Sequence, residues 1–169
     1  MNNAVLKNLG FLALPITTIA WTAQLPIRVD ESHAKDYWLM AKSTGTVTPL
    51  VPGDMRRSGS SGCVTVGYTI DADGKVKDAE VLRSYITKKD GDEMRAHFEK
   101  AVVANTSEHR YAPAASNNQR LPISTFVTIV VSVGMGLPRK NQLDEISSHC
   151  KTDDFTAMPS DSTQTMRKQ

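Results

Sequence analysis

From Cys63 to Ile70 the side chains alternate strictly, with Val64, Val66, Tyr68 and Ile70 on one face. A two-residue period is the signature of a strand with one buried face. Asp71-Ala-Asp-Gly74 follows, and Asp-Gly between two apolar runs predicts a hairpin turn. The return strand occupies Lys75 to Ser84, where the apolar phase slips between Val76 and Ala79/Val81, a slip that a β-bulge absorbs. The period then changes. Met94, Phe98, Ala101 and Val102 recur at helical spacing, and Asp90 with Glu93 has the spacing of a capping box. That apolar stripe must cover the inner face of the hairpin, since no other nearby segment can. Tyr111-Ala-Pro-Ala114 interrupts the helix pattern, and Ile123 to Val133 reads as a closing strand. Ile123, Val127, Ile129, Val131 and Val133 share one phase, while Phe126 and Val130 fall in the other. Both faces of this strand therefore carry apolar side chains, and the second face requires a partner or stands as an exposed patch. The order strand, strand, helix, strand predicts an α+β fold: a small ββαβ domain with an antiparallel sheet and one packed helix.

The ends of the chain follow different rules. Lys7 precedes the apolar stretch Leu9 to Ala20, which finishes in small residues, the pattern of a secretory signal peptide with cleavage after Ala20. A membrane-spanning helix needs roughly 20 mostly apolar residues. Pro15, Thr17, Thr18, Thr22 and Gln24 break this one, so export to the periplasm is expected in preference to an inner-membrane anchor. Residues 21–51 form a lead-in, with Tyr37-Trp-Leu-Met40 before a Ser/Thr/Gly-rich stretch, and a short helix is conceivable near Ala34 to Ala41. The folded domain is expected over 52–135. Residues 136–169 are polar and lose periodicity, which predicts a disordered tail.

Composition narrows the function. The 169 residues are 40% hydrophobic and 22% charged, with a formal charge of +2, an ordinary globular balance without a basic stripe for nucleic acid. Cys63 and Cys150 are the only cysteines. In an oxidising compartment they either pair or remain separate thiols, and sequence alone leaves both open. His33, His97, His109 and His149 lack metal-ligand spacing, the adjacent His149-Cys150 being two ligands at most, so no metal or other cofactor is expected. Gly59-Ser-Ser-Gly62 has neither the spacing nor the following helix of a nucleophile elbow. Asp71-Ala-Asp-Gly74 lacks the Glu that completes a calcium loop. No catalytic residues are assigned, and an enzyme is not expected.

The ordered set of pieces resembles the C-terminal domain of TonB. The run Val51-Pro-Gly-Asp-Met-Arg-Arg57 stands where that family has a proline and a short basic helix. Gly62 to Gly74 matches its Gly-x-Val-x-Val strand and Asp-Gly turn. Val81-Leu-Arg-Ser84, the helix through Ala101, Tyr111-Ala-Pro-Ala114 and the strand from Leu121 to Val133 complete the order over about half the chain. Val51 replaces the usual tyrosine before Pro52, and Tyr85 to Asp92 is longer and more charged than the usual connection. The resemblance implies a periplasmic domain that grips outer-membrane TonB-dependent receptors, by accepting the receptor's TonB-box segment as an added strand. The implied edge residues are Ile123, Thr125, Phe126, Val127, Ile129 and Val131 in the closing strand, which could instead be central and covered. A homodimer through the same edge is the other partner this resemblance allows. Leu9 to Trp21 contains neither Ser nor His and no Pro-rich stalk follows. A stand-alone interaction module, uncoupled from the ExbB–ExbD motor of the inner membrane, is therefore the alternative function.

Overall fold

The structure is a computed structural model and describes residues 24–41, 50–88, 91–134 and 139–152. The expected signal segment lies outside the described residues. The strands are β1 (Ile27–Arg28), β2 (Trp38–Met40), β3 (Gly62–Ile70), β4 (Val76–Ile86), β5 (Tyr111–Pro113) and β6 (Ile123–Val131). The helices are α1 (Ala34–Tyr37), α2 (Gly53–Ser58), α3 (Asp92–Glu108) and α4 (Lys140–Ser148). The main sheet has the order β1-β6-β3-β4, and β2 with β5 forms a separate two-stranded ribbon.

The hairpin, helix and closing strand stand in the order the sequence implies. In the β3–β4 turn the Asp71 carboxylate accepts the backbone N–H groups of Asp73 and Lys75, both at 2.9 Å, so its oxygens serve the turn. Gly74 closes that turn at φ +77°, and a Cβ there would run into the Tyr111 carbonyl oxygen. The pairing of β4 with β3 shifts register between Thr65 and Val66 and again between Gly67 and Thr69. The phase slip is thus a real irregularity, with Asp78 held at φ +51° within it. Helix α3 buries Met94, Phe98 and Val102 against Val64, Val66, Ile70 and Ile123, which makes the main core. Its cap residue is Gly91, with no side-chain capping bond; Asp90, the expected cap, lies outside the described residues.

The single-helix ββαβ plan needs three corrections. First, four helices are present among the described residues, and the sheet is mixed, because β1 runs parallel to β6. Second, the lead-in packs on the domain: Trp38 is 2% exposed and its indole N–H donates to the Leu121 carbonyl at 2.9 Å. The short helix there ends at Tyr37, and Trp38 to Met40 pair antiparallel with Pro113 to Tyr111. Third, the segment expected to be structureless contains α4 and is tied to β3 by a Cys63–Cys150 disulfide.

That third feature explains the two-faced closing strand. Ile123, Val127, Ile129 and Val131 belong to the α3 side of the sheet, together with Val64 and Val66. The opposite side is covered by α4: Cys63, Ile146 and Cys150 form a second cluster, with Tyr85 and Val130 packed on it. Around this cluster the Thr65 hydroxyl donates to the Cys150 carbonyl at 2.6 Å, and the rings of Tyr85 and His149 stack 3.8 Å apart. The second face is thus occupied by the chain's own C-terminal segment.

Candidate functional site

Every open sheet has two edges, and each presents unpaired backbone groups to any passing strand. Here the edges are β4 on one side and β6, with the short β1 beside it, on the other. β4 is unsuited to accept a strand. It carries exposed Lys77, Asp78 and Arg83, and its bulges and the left-handed Asp78 break the regular row of donors and acceptors. β6 pairs with β3 without a register shift, from Ile70↔Ile123 to Gly62↔Val131. A straight ladder on the inner side implies an equally regular outer side.

The direction of each backbone group follows from the bonds to the lead-in. The Pro122 carbonyl accepts from Ile27 N–H at 3.0 Å and the Ser124 carbonyl from Val29 N–H at 2.9 Å. Outward groups therefore belong to even-numbered residues, and the two-residue period extends this to Phe126, Thr128 and Val130. The side chains of the odd-numbered residues turn into the core. Ile123 and Thr125 are fully buried, Val131 nearly so, and Val127 and Ile129 are half-buried. Phe126 is half-buried and shares its phase with Val130, on the α4 side. The six residues expected at the edge thus form one strand, but most of their side chains hold the core and only its backbone faces outward.

The edge is also less open than the sequence suggests. β1 covers its first two positions, with Ile27 opposite Ile123 and Arg28 opposite Ser124. Loss of water around Glu31 in the lead-in raises its pKa, an effect that outweighs the opposing pull of the Thr128 backbone. Inside the sheet, burial pushes the Tyr68 phenol far above its usual range, aided by Tyr111, whose hydroxyl lies 3.0 Å away. Sequence reading missed β1, because a two-residue strand offers too short an alternation to recognise.

The remaining chemistry-bearing residues have structural partners. His97 on α3 contacts Asp54 on α2 at 2.8 Å, and this bond lowers the Asp54 pKa. His109 caps the C-terminal end of α3. Asp30 gathers the Ser32 hydroxyl and His33, which bring its pKa down to about 2. Among the described residues no three acidic, histidine or cysteine side chains gather as a metal site. No described helix is long and apolar enough to cross a membrane.

Fold and sheet place the molecule among small α+β domains with a mixed four-stranded sheet. Residues 49–130 align to the family described as the Gram-negative bacterial TonB protein C-terminal. Among solved structures, the chain resembles the TonB C-terminal domain of Pseudomonas aeruginosa, at 19% identity and a TM-score of 0.39, over 60% of this chain and 90% of that one. It also resembles the Helicobacter pylori TonB C-terminal domain, at 24% identity and a TM-score of 0.33, over 50% of this chain and 69% of that one. No curated protein matches the chain.

Proposed function

We propose that this protein is a TonB-like periplasmic module that binds outer-membrane TonB-dependent transporters, taking a receptor's TonB-box segment as an added strand on β6. The observation that carries this reading is the unbroken ladder of β6 on β3, against a β4 edge that is bulged and charged. Strand addition draws affinity from backbone hydrogen bonds, and the even-numbered positions of β6 turn their backbone groups to the outer side of the strand. The Cys63–Cys150 bridge supports an exported location, since such bonds persist in oxidising compartments.

The test is calorimetric titration of the protein with a synthetic TonB-box peptide. Val130→Pro removes an outward N–H while sparing the inner ladder to β3, so it should weaken binding by about fivefold or more. Saturable binding that Val130→Pro leaves unchanged would sink the edge assignment.

A further inference from the structure

Past the positions that pair with β1, the side chains of β6 are held from both sides of the sheet. Val127, Ile129 and Val131 pack with the main core on the α3 side. Thr128 and Val130 lie on the other side, opposite Thr65 and Cys63 of β3. Their cover is the C-terminal segment. Val130 packs on the cluster of Cys63, Ile146 and Cys150. Thr128 is reached through a chain of hydrogen bonds. The Thr65 hydroxyl lies 2.6 Å from the Cys150 carbonyl and 2.9 Å from the Thr128 hydroxyl. A hydroxyl has one proton, and a carbonyl only accepts. Thr65 therefore donates to Cys150 and accepts from Thr128, which fixes the orientation of both side chains.

That chain ends at the disulfide. Thr65 is fully buried, and its carbonyl partner belongs to the residue that the bridge ties to β3. Within α4 only Ile146 is buried, and nine residues do not sustain a helix without tertiary support. Once the bridge opens, the Cys150 carbonyl can leave, so Thr65 loses its acceptor and Val130 its cover. The α3 side does not depend on the bridge, because its core lies on the opposite face. β3 is also held between two neighbours, β6 and β4, whereas β6 from Thr125 onward is laddered to β3. The bridge thus bears most on the far half of β6.

We propose that the Cys63–Cys150 bridge, acting through Thr65, is a brace that positions the far half of β6 for an incoming strand, so that receptor binding depends on the oxidised form. The inference rests on the receptor-binding reading of this edge and adds a redox dependence to it. A strand that meets a fixed edge orders fewer groups than one that meets a frayed edge, and it binds more tightly for that reason. A dithiol removes the brace by two successive exchanges: the reagent leaves as a disulfide, and Cys63 and Cys150 each end as a protonated thiol. Thr65 is a positioning residue, since its side chain is buried away from the incoming strand.

The test compares four forms of the full chain: oxidised wild type, wild type reduced with a dithiol, and oxidised Thr65→Val and Thr65→Ser. Amide hydrogen exchange is read at Ile129 and Val131, whose N–H groups face β3, against Phe98 and Val102 in α3. Reduction should speed exchange at Ile129 and Val131 about tenfold relative to the α3 pair, and Thr65→Val about fivefold, the worth of one hydrogen bond. Thr65→Ser keeps the hydroxyl and should match wild type. The synthetic TonB-box peptide should follow the same order, binding about tenfold more weakly to the reduced protein and about fivefold more weakly to Thr65→Val. Exchange that rises equally in α3 and β6 reports a loss of global stability and overturns the brace, as does equal peptide affinity in all four forms. Either result leaves the receptor reading intact. A peptide that binds none of the four overturns the receptor reading, and the role of the brace in binding falls with it.

Discussion

Replacing both Cys63 and Cys150 with alanine tests whether α4 belongs to the cooperative fold. The bridge spans a sequence separation of 87, and confining the unfolded chain to a loop of that size is worth about 4.5 kcal/mol in the chain-entropy account. This is a ceiling, reached only if α4 stays docked without the bridge. Nine residues are too few for a stable helix by themselves. What remains to hold α4 is the burial of Ile146, the Thr65 bond to the Cys150 carbonyl and the stack of His149 on Tyr85. If those contacts fail, the released segment regains conformational freedom, and the loss falls toward about 2 kcal/mol, the low end for a native bridge in a small domain. Urea unfolding of the oxidised wild type and the double variant, followed by far-ultraviolet circular dichroism, should therefore differ by about 2–4.5 kcal/mol. The folded variant should also lose helical signal. Treating the wild type with dithiol reductant should reproduce the shift without any change of side chain. A difference under about 0.5 kcal/mol would refute the reasoning, because α4 and its bridge would then lie outside the unit that unfolds together.

Two further outcomes follow from the core. Gly74→Ala should cost about 2 kcal/mol or more in urea unfolding, since φ +77° and the Tyr111 carbonyl together leave no room for a Cβ; an unchanged midpoint would contradict the turn geometry. Burial raises the Tyr68 phenol above its unfolded value near 10, so its neutral form contributes stability that is intact below pH 10 and is lost as pH rises further. Tyr68→Phe should then flatten the fall in stability above pH 10, and a fall equally steep in the variant would remove Tyr68 as its cause.

Local periodicity carried the central domain. The alternation from Val64 to Ile70, the Asp-Gly turn and the stripe of Met94, Phe98 and Val102 each encode an element within a few residues, and the core assembles from those faces. The slipped phase of the second strand was also visible, because a bulge displaces apolar residues along the chain itself. The apolar residues on both faces of β6 announced that a second cover was needed, without naming it. Only the tertiary structure supplied it: α4 follows a break in periodicity, and its place depends on a bridge between residues 87 apart. The lead-in was hidden for the same reason. Ile27–Arg28 is too short to show a period, and its place beside β6 exists only once the fold has formed. Sequence determined which segments have a face to bury, since that is written in neighbouring side chains. Which segment covers which edge was decided by long-range contacts, whose energy exists only once the chain has closed upon itself.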